Sequence, residues 1–120
     1  MTETREIERD SWQEYFDALS RELVDSPVSI EISSPERRPA TQASHMALHT
    51  LTYDRREDVF EVAVAQGGPH LPDVLRHMVD HPSHIRVDSV TLLAPMSISV
   101  EAPDGTTTLI RVQRAPDISS

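Results

Sequence analysis

"MSISVEAPDGTTTLIRVQ", Met96 to Gln113, carries the pattern that decides the fold. Met96, Ile98, Val100 and Ala102 alternate with Ser97, Ser99 and Glu101. That period of two belongs to a strand with one face buried. Pro103, Asp104 and Gly105 supply turn chemistry, and Gly105 can take positive φ without the steric cost of a Cβ. The β-branched run "TTTLIRVQ" then completes an antiparallel hairpin.

The same period extends upstream. "IRVDSVTLL" is a strand candidate ending near Pro95. Ahead of it, "LRHMVDHPSHIRVD" reads as the end of one strand (Leu75 to Val79), a Pro-containing turn (Asp80 to His84) and the next strand from Ile85. "VFEVAVA" places Phe60, Val62 and Val64 on one side. "HMALHTLTYD" alternates but slips near Thr50, which marks a bulge. From Pro27, Val28, Ile30 and Ile32 alternate with Ser29, Glu31 and Ser33. "SPERRPATQAS", "DRRED" and "QGGPHLPD" read as a polar loop, a charged turn and a glycine-bearing loop.

Only the N-terminal part has a helical period. In "RDSWQEYFDALSREL", Trp12, Phe16, Leu19 and Leu23 share one helical face. Asp10 or Ser11 can cap this helix, Ser11 with Glu14 matches the capping-box pattern, and Ile7 can staple the entry. The helix should stop before Pro27.

These elements predict one α+β domain over residues 1–120. An amphipathic helix at about 10–24 precedes a β-rich body at about 27–114 and a frayed tail at 115–120. About six mostly antiparallel strands are expected to form a curled sheet or a small, partly closed β-barrel, with the helix over an open end or face.

Composition narrows the function. Among 120 residues there is no cysteine, which removes disulfides, zinc–thiolate sites and thiol nucleophiles. The formal net charge of −9 disfavours polyanions, so neither nucleic acid nor an anionic membrane is an expected partner. The charged start "MTETREIERD" is unlike a signal peptide, and no apolar run approaches the roughly 20 residues that span a bilayer. A soluble, cytoplasmic chain is expected.

Three segments carry a resemblance. "REIERDSWQEYFDALSRE" and "ISVEAPDGTTTLIRV", in this order and at this separation, resemble a family of short bacterial proteins, number fifty-three thirty-five in the domain-of-unknown-function series. "LRHMVDHPSHIRVD" is similar to that family's stretch in which a strand meets a His, a Pro and another strand. Family members usually run from the helix through a Gly-Trp into a long apolar strand, whereas this chain has "VDSPVSIEISS". The resemblance implies the fold and no activity, and it assigns no catalytic residue.

The residues themselves lack a G-x-S-x-G elbow, a Walker-type loop, G-x-G-x-x-G and H-E-x-x-H. Arg37 and Arg38 could clamp an anion, but a solvated loop is the simpler reading. The charge run Asp54 to Asp58 is likewise read as a solvated turn. His77, His81 and His84 are spaced as a helical metal triad would be, with His70 or Asp80 as a fourth ligand. Pro82 argues against that helix, because it disfavours helical geometry at His81. His77 with Asp80, or His81 with Asp88, could form an acid–base pair.

No catalytic, cofactor-binding or metal residue is assigned, and no cofactor is expected. The expected function is that of a small non-enzymatic binding or accessory module, recognising a protein or small ligand, as a monomer or weak homo-oligomer. Sheet edge, helix groove and barrel mouth are its candidate surfaces. The alternatives are a His-based metal-binding protein using His77, His81 and His84, and a small His/Asp-dependent enzyme.

Overall fold

Period-two segments become strands, and the one period-3.6 segment becomes the helix. The computed structural model describes residues 3–66, 73–91 and 94–112. The chain runs through β1 (Glu3–Glu6), a 3₁₀ turn (Arg9–Ser11) and α1 (Trp12–Leu23). It continues through β2 (Pro27–Ser34), β3 (Arg37–Asp54), β4 (Val59–Gln66) and β5 (Asp73–Asp80). β6 (His84–Thr91), β7 (Ala94–Glu101) and β8 (Thr107–Val112) complete it.

One eight-stranded sheet has the order β1-β6-β7-β8-β2-β3-β4-β5, with every ladder antiparallel. The fold is α+β as expected, with more strands than the expected six. No ladder among the described residues joins β1 to β5, so the sheet is not closed into a barrel. It cannot be flat either. Six strand spacings separate β5 from β6 in the order, about 29 Å if the sheet were flat. The four Cα steps from Asp80 to His84 reach about 13 Å. Curling brings β5 back towards β6.

The core lies inside the curl, under the helix. Trp12, Phe16, Leu19 and Leu23 are buried in one cluster with residues from β2 to β8, among them Ile30, Leu51, Phe60, Ile85, Ile98 and Ile110. Phe16 packs edge-on against Phe60, with ring centroids 5.2 Å apart, and Trp12 against Tyr53 at 5.1 Å. The hairpin of the opening quotation forms as read. Ile98 pairs with Ile110, the Ala102 amide donates to the Thr106 carbonyl, and Gly105 adopts φ +90°.

Four expectations change. Residues 3–6 form a strand, although no alternation marks them. Their ladder comes from β6, with Glu3 opposite Ser89 and Glu6 opposite Arg86. The β-rich body therefore starts well before residue 27.

The expected loop at residues 34–44 is a tight turn followed by the first half of β3. Residues 35–42 are exposed whichever face they point to, and Ala43 is the first to be buried, so polarity hid the strand. Pro39 is tolerated because this half of β3 pairs, among the described residues, with β2 alone and through several register shifts.

The Ser11 side chain makes no cap bond, since Ser11 itself has helical dihedrals (φ −99°, ψ −5°) where the 3₁₀ turn flows into α1. A capping side chain needs an extended backbone at that position.

Pro95 lies within β7 rather than ending a strand. The slip near Thr50 is present as a register shift between Leu48 and Thr50. The frayed tail at 115–120 lies outside the described residues.

Candidate functional site

The strands position two neighbouring groups of polar side chains, one on each side of the step from Asp80 to His81. The first begins with the alternation of β5. Val79 lies opposite Phe60 and His77 opposite Val62, so both belong to the interior face. Met78 and Asp80 belong to the outer face. From inside, His77 reaches across the curl to β8, where its Nε2 lies 2.9 Å from the Thr108 hydroxyl. Thr108 is buried, and His77 is half-buried. Burial pushes the His77 imidazole below its ordinary value, which keeps it neutral at pH 7.

A cleft of about 380 Å³ opens here. One wall is four successive β5 residues, His77 to Asp80; the other is the β7–β8 hairpin with Ala102, Pro103, Asp104, Thr106 and Thr108. Successive strand residues point to opposite faces. All four line one cleft only because it runs along the backbone edge of β5. The Asp104 carboxylate accepts from the Thr106 amide at 2.9 Å, which fixes the hairpin tip and holds that carboxyl below its usual range. Asp80 is exposed.

The second group surrounds the β5–β6 turn. Asp58 and His81 both have left-handed backbones (φ 56° and 52°), and the His81 amide donates to the Asp58 carbonyl at 2.7 Å. The Asp58 carboxylate gathers the Tyr53 hydroxyl at 2.5 Å, His81 Nδ1 at 2.9 Å and Arg9 Nη1 at 3.2 Å. Those bonds, the Tyr53 hydroxyl first, hold it below the usual carboxylate range. Arg9 also donates to the Pro82 carbonyl at 2.9 Å and lies 4.5 Å over the Trp12 ring, whose Nε1 donates to Ile7. Nearby, His84 Nδ1 meets Glu6 at 3.0 Å, and Arg86 bridges Glu6 and Glu101. These contacts clamp β1, the 3₁₀ turn and the β3–β4 hairpin around Pro82.

The three spaced histidines are thus shared out: His77 to Thr108, His81 to Asp58 and His84 to Glu6. Among the described residues no three His, Asp or Glu side chains are grouped to hold a metal ion. His77 and Asp80 point to opposite faces of β5. Asp88 engages the hydroxyls of Thr4 and Ser97 rather than His81. His49 is exposed at the β3 bulge, and His70 lies outside the described residues. Arg37 and Arg38 line a second opening, of about 340 Å³, with Ser33, Ser34, Gln42 and Thr106.

Sequence reasoning missed Asp58, Tyr53, Asp104 and Thr108. Asp58 sits in a charge run that otherwise behaves as read: Asp54 caps the turn by accepting from the Arg56 and Glu57 amides. The left-handed backbone at Asp58 has no local signature beyond the residue type.

Comparison with known proteins bears on kinship. The model of the Family of unknown function (DUF5335) matches residues 3–119. An uncharacterised protein of Aquifex aeolicus (strain VF5) is 29% identical over 112 residues, covering 93% of this chain and 94% of that protein. No solved structure gives a significant match. No helix among the described residues is long and apolar enough to cross a membrane. The chain belongs to the DUF5335 family.

Proposed function

We propose, with membership of this family as the premise, that the chain is a small non-enzymatic binding module of the cytoplasm. It holds a protein segment or small ligand in the cleft between β5 and the β7–β8 hairpin. One observation carries the reading: a strand's backbone edge and an inward-facing imidazole–hydroxyl pair line the same concavity. Backbone groups supply directional donors and acceptors, and the neutral His77 adds an uncharged polar contact. A site of about 380 Å³ is within the usual range for ligand pockets. The net charge of −9 favours partners without negative charge.

Chemical-shift mapping with a panel of short peptides and small fragments tests this. The expected result is shifts confined to Leu75–Asp80 and Ala102–Thr108. Shifts elsewhere only, or none at millimolar ligand, would remove the reading.

A further inference from the structure

We propose that the occupant of this cleft is an extended segment of another protein. It adds to the free edge of β5 as one more strand and carries a basic side chain. The inference rests on the binding-module reading and deepens it.

Four observations converge. First, all eight β5 residues pair with β4 in an unshifted register, from Val59↔Asp80 to Gln66↔Asp73. Among the described residues the other side of β5 pairs with no strand. About 26 Å of regular edge is the template an added strand needs. Second, two of the three exposed large hydrophobics among the described residues, Leu75 and Met78, belong to this strand, on opposite faces. A neighbouring strand would find an apolar contact on each side.

Third, β5 is long and regular, with no proline, no bulge and no lysine, and the guanidinium of Arg76 is already engaged by Glu61. Fourth, Asp80 and Asp104 lie on the two walls of the cleft, and no described arginine is paired with either. His77 is neutral there and does not offset their charge. A lysine or arginine of the incoming strand does.

The same charges argue against a second copy as occupant. Antiparallel pairing of β5 with itself would set Asp73 of one copy beside Asp80 of the other, between two bodies of net charge −9.

The test uses the full chain and synthetic eight-residue peptides of alternating valine and threonine with one central arginine. The readouts are fluorescence anisotropy and amide hydrogen exchange. We expect saturable binding that weakens with salt, slower exchange at the outward-facing β5 amides, and loss of binding when prolines replace alternate peptide residues. Asp80→Asn with Asp104→Asn should weaken the arginine peptide about tenfold and leave its citrulline analogue unchanged. The asparagine at 104 keeps the turn-capping oxygen, so the hairpin remains intact.

Four outcomes overturn the proposal. Equal binding of the proline-substituted peptide means side chains alone hold it. Concentration-dependent dimerisation that the peptide fails to displace assigns the edge to a second copy. No peptide binding, with fragment-induced shifts still at His77 and Thr108, discards the strand and keeps the binding module. Absence of both discards both.

Discussion

At one edge of the sheet, β1 is four residues long, and its side chains are tied down. Thr4 bonds to Asp88, and Glu6 meets His84 and Arg86. At the other edge, β5 is eight residues long and keeps Leu75, Met78 and Asp80 exposed. Between them the β5–β6 turn is fastened by Asp58, Tyr53, His81 and Arg9. An edge strand invites pairing with other chains, and short, charged strands are a common defence. Both edges carry charge, but only β1 is short, and β5 presents Leu75 and Met78 as well. The open edge is also the one that borders a cleft.

Four substitutions would break or sharpen this contrast. The largest effect is expected beneath both edges. Phe16→Ala removes a fully buried ring and should cost about 3–5 kcal/mol by denaturant unfolding. Amide exchange at β1 and β5 should accelerate together. If one edge kept its protection, the two would not be parts of one cooperative unit.

Asp58→Asn acts on the fastened side. It keeps a residue type that tolerates left-handed backbone and removes the charge that Tyr53, His81 and Arg9 share. A loss of about 1–2 kcal/mol at pH 7 is expected, because the amide oxygen still accepts from the Tyr53 hydroxyl but no longer adds charge to that bond or to the Arg9 pair. The folded carboxyl titrates below its unfolded value. Its contribution is therefore present above about pH 4 and disappears as pH falls through the folded value. Wild type and variant should converge in acid, and parallel pH curves would contradict the assignment.

Gly105→Ala probes the hairpin wall of the cleft. A Cβ there meets Pro35 Cγ at 3.0 Å, on a backbone with φ +90°. A cost of about 1 kcal/mol is expected by thermal unfolding, with β1 unaffected.

The smallest effect concerns the floor of the cleft. Burial lowers the folded His77 value, so the unfolded chain takes a proton first as the medium acidifies. Stability should fall as pH drops below about 6.5 and level off beneath the folded value. His77→Gln should flatten that slope in urea midpoints measured between roughly pH 7 and 5. An unchanged slope would assign it to other groups.

How much of this was legible depends on whether a residue's role is local. The buried face Trp12, Phe16, Leu19 and Leu23 is written in its own spacing, and so is the hairpin from Ala94 to Val112. The bulge beside Thr50 shows as a break in alternation. β1 and the first half of β3 leave no such trace, because both faces are polar and the strand exists only through a neighbour's ladder.

The candidate site is less legible still. His77 finds a partner 31 residues away, and His81 one 23 residues away. Spacing along the chain grouped three histidines that the curl distributes among β8, the β3–β4 hairpin and β1.

The sequence by itself determined the helix face, the antiparallel hairpins, the absence of thiol chemistry and the acidic surface. Each follows from side-chain period or composition over a few residues. Tertiary structure alone decided which strand is left at the edge, which partner each of the three imidazoles meets and where the cleft opens. Those outcomes depend on ladders between distant segments and on the curvature that a short β5–β6 turn imposes, and neither has a local code.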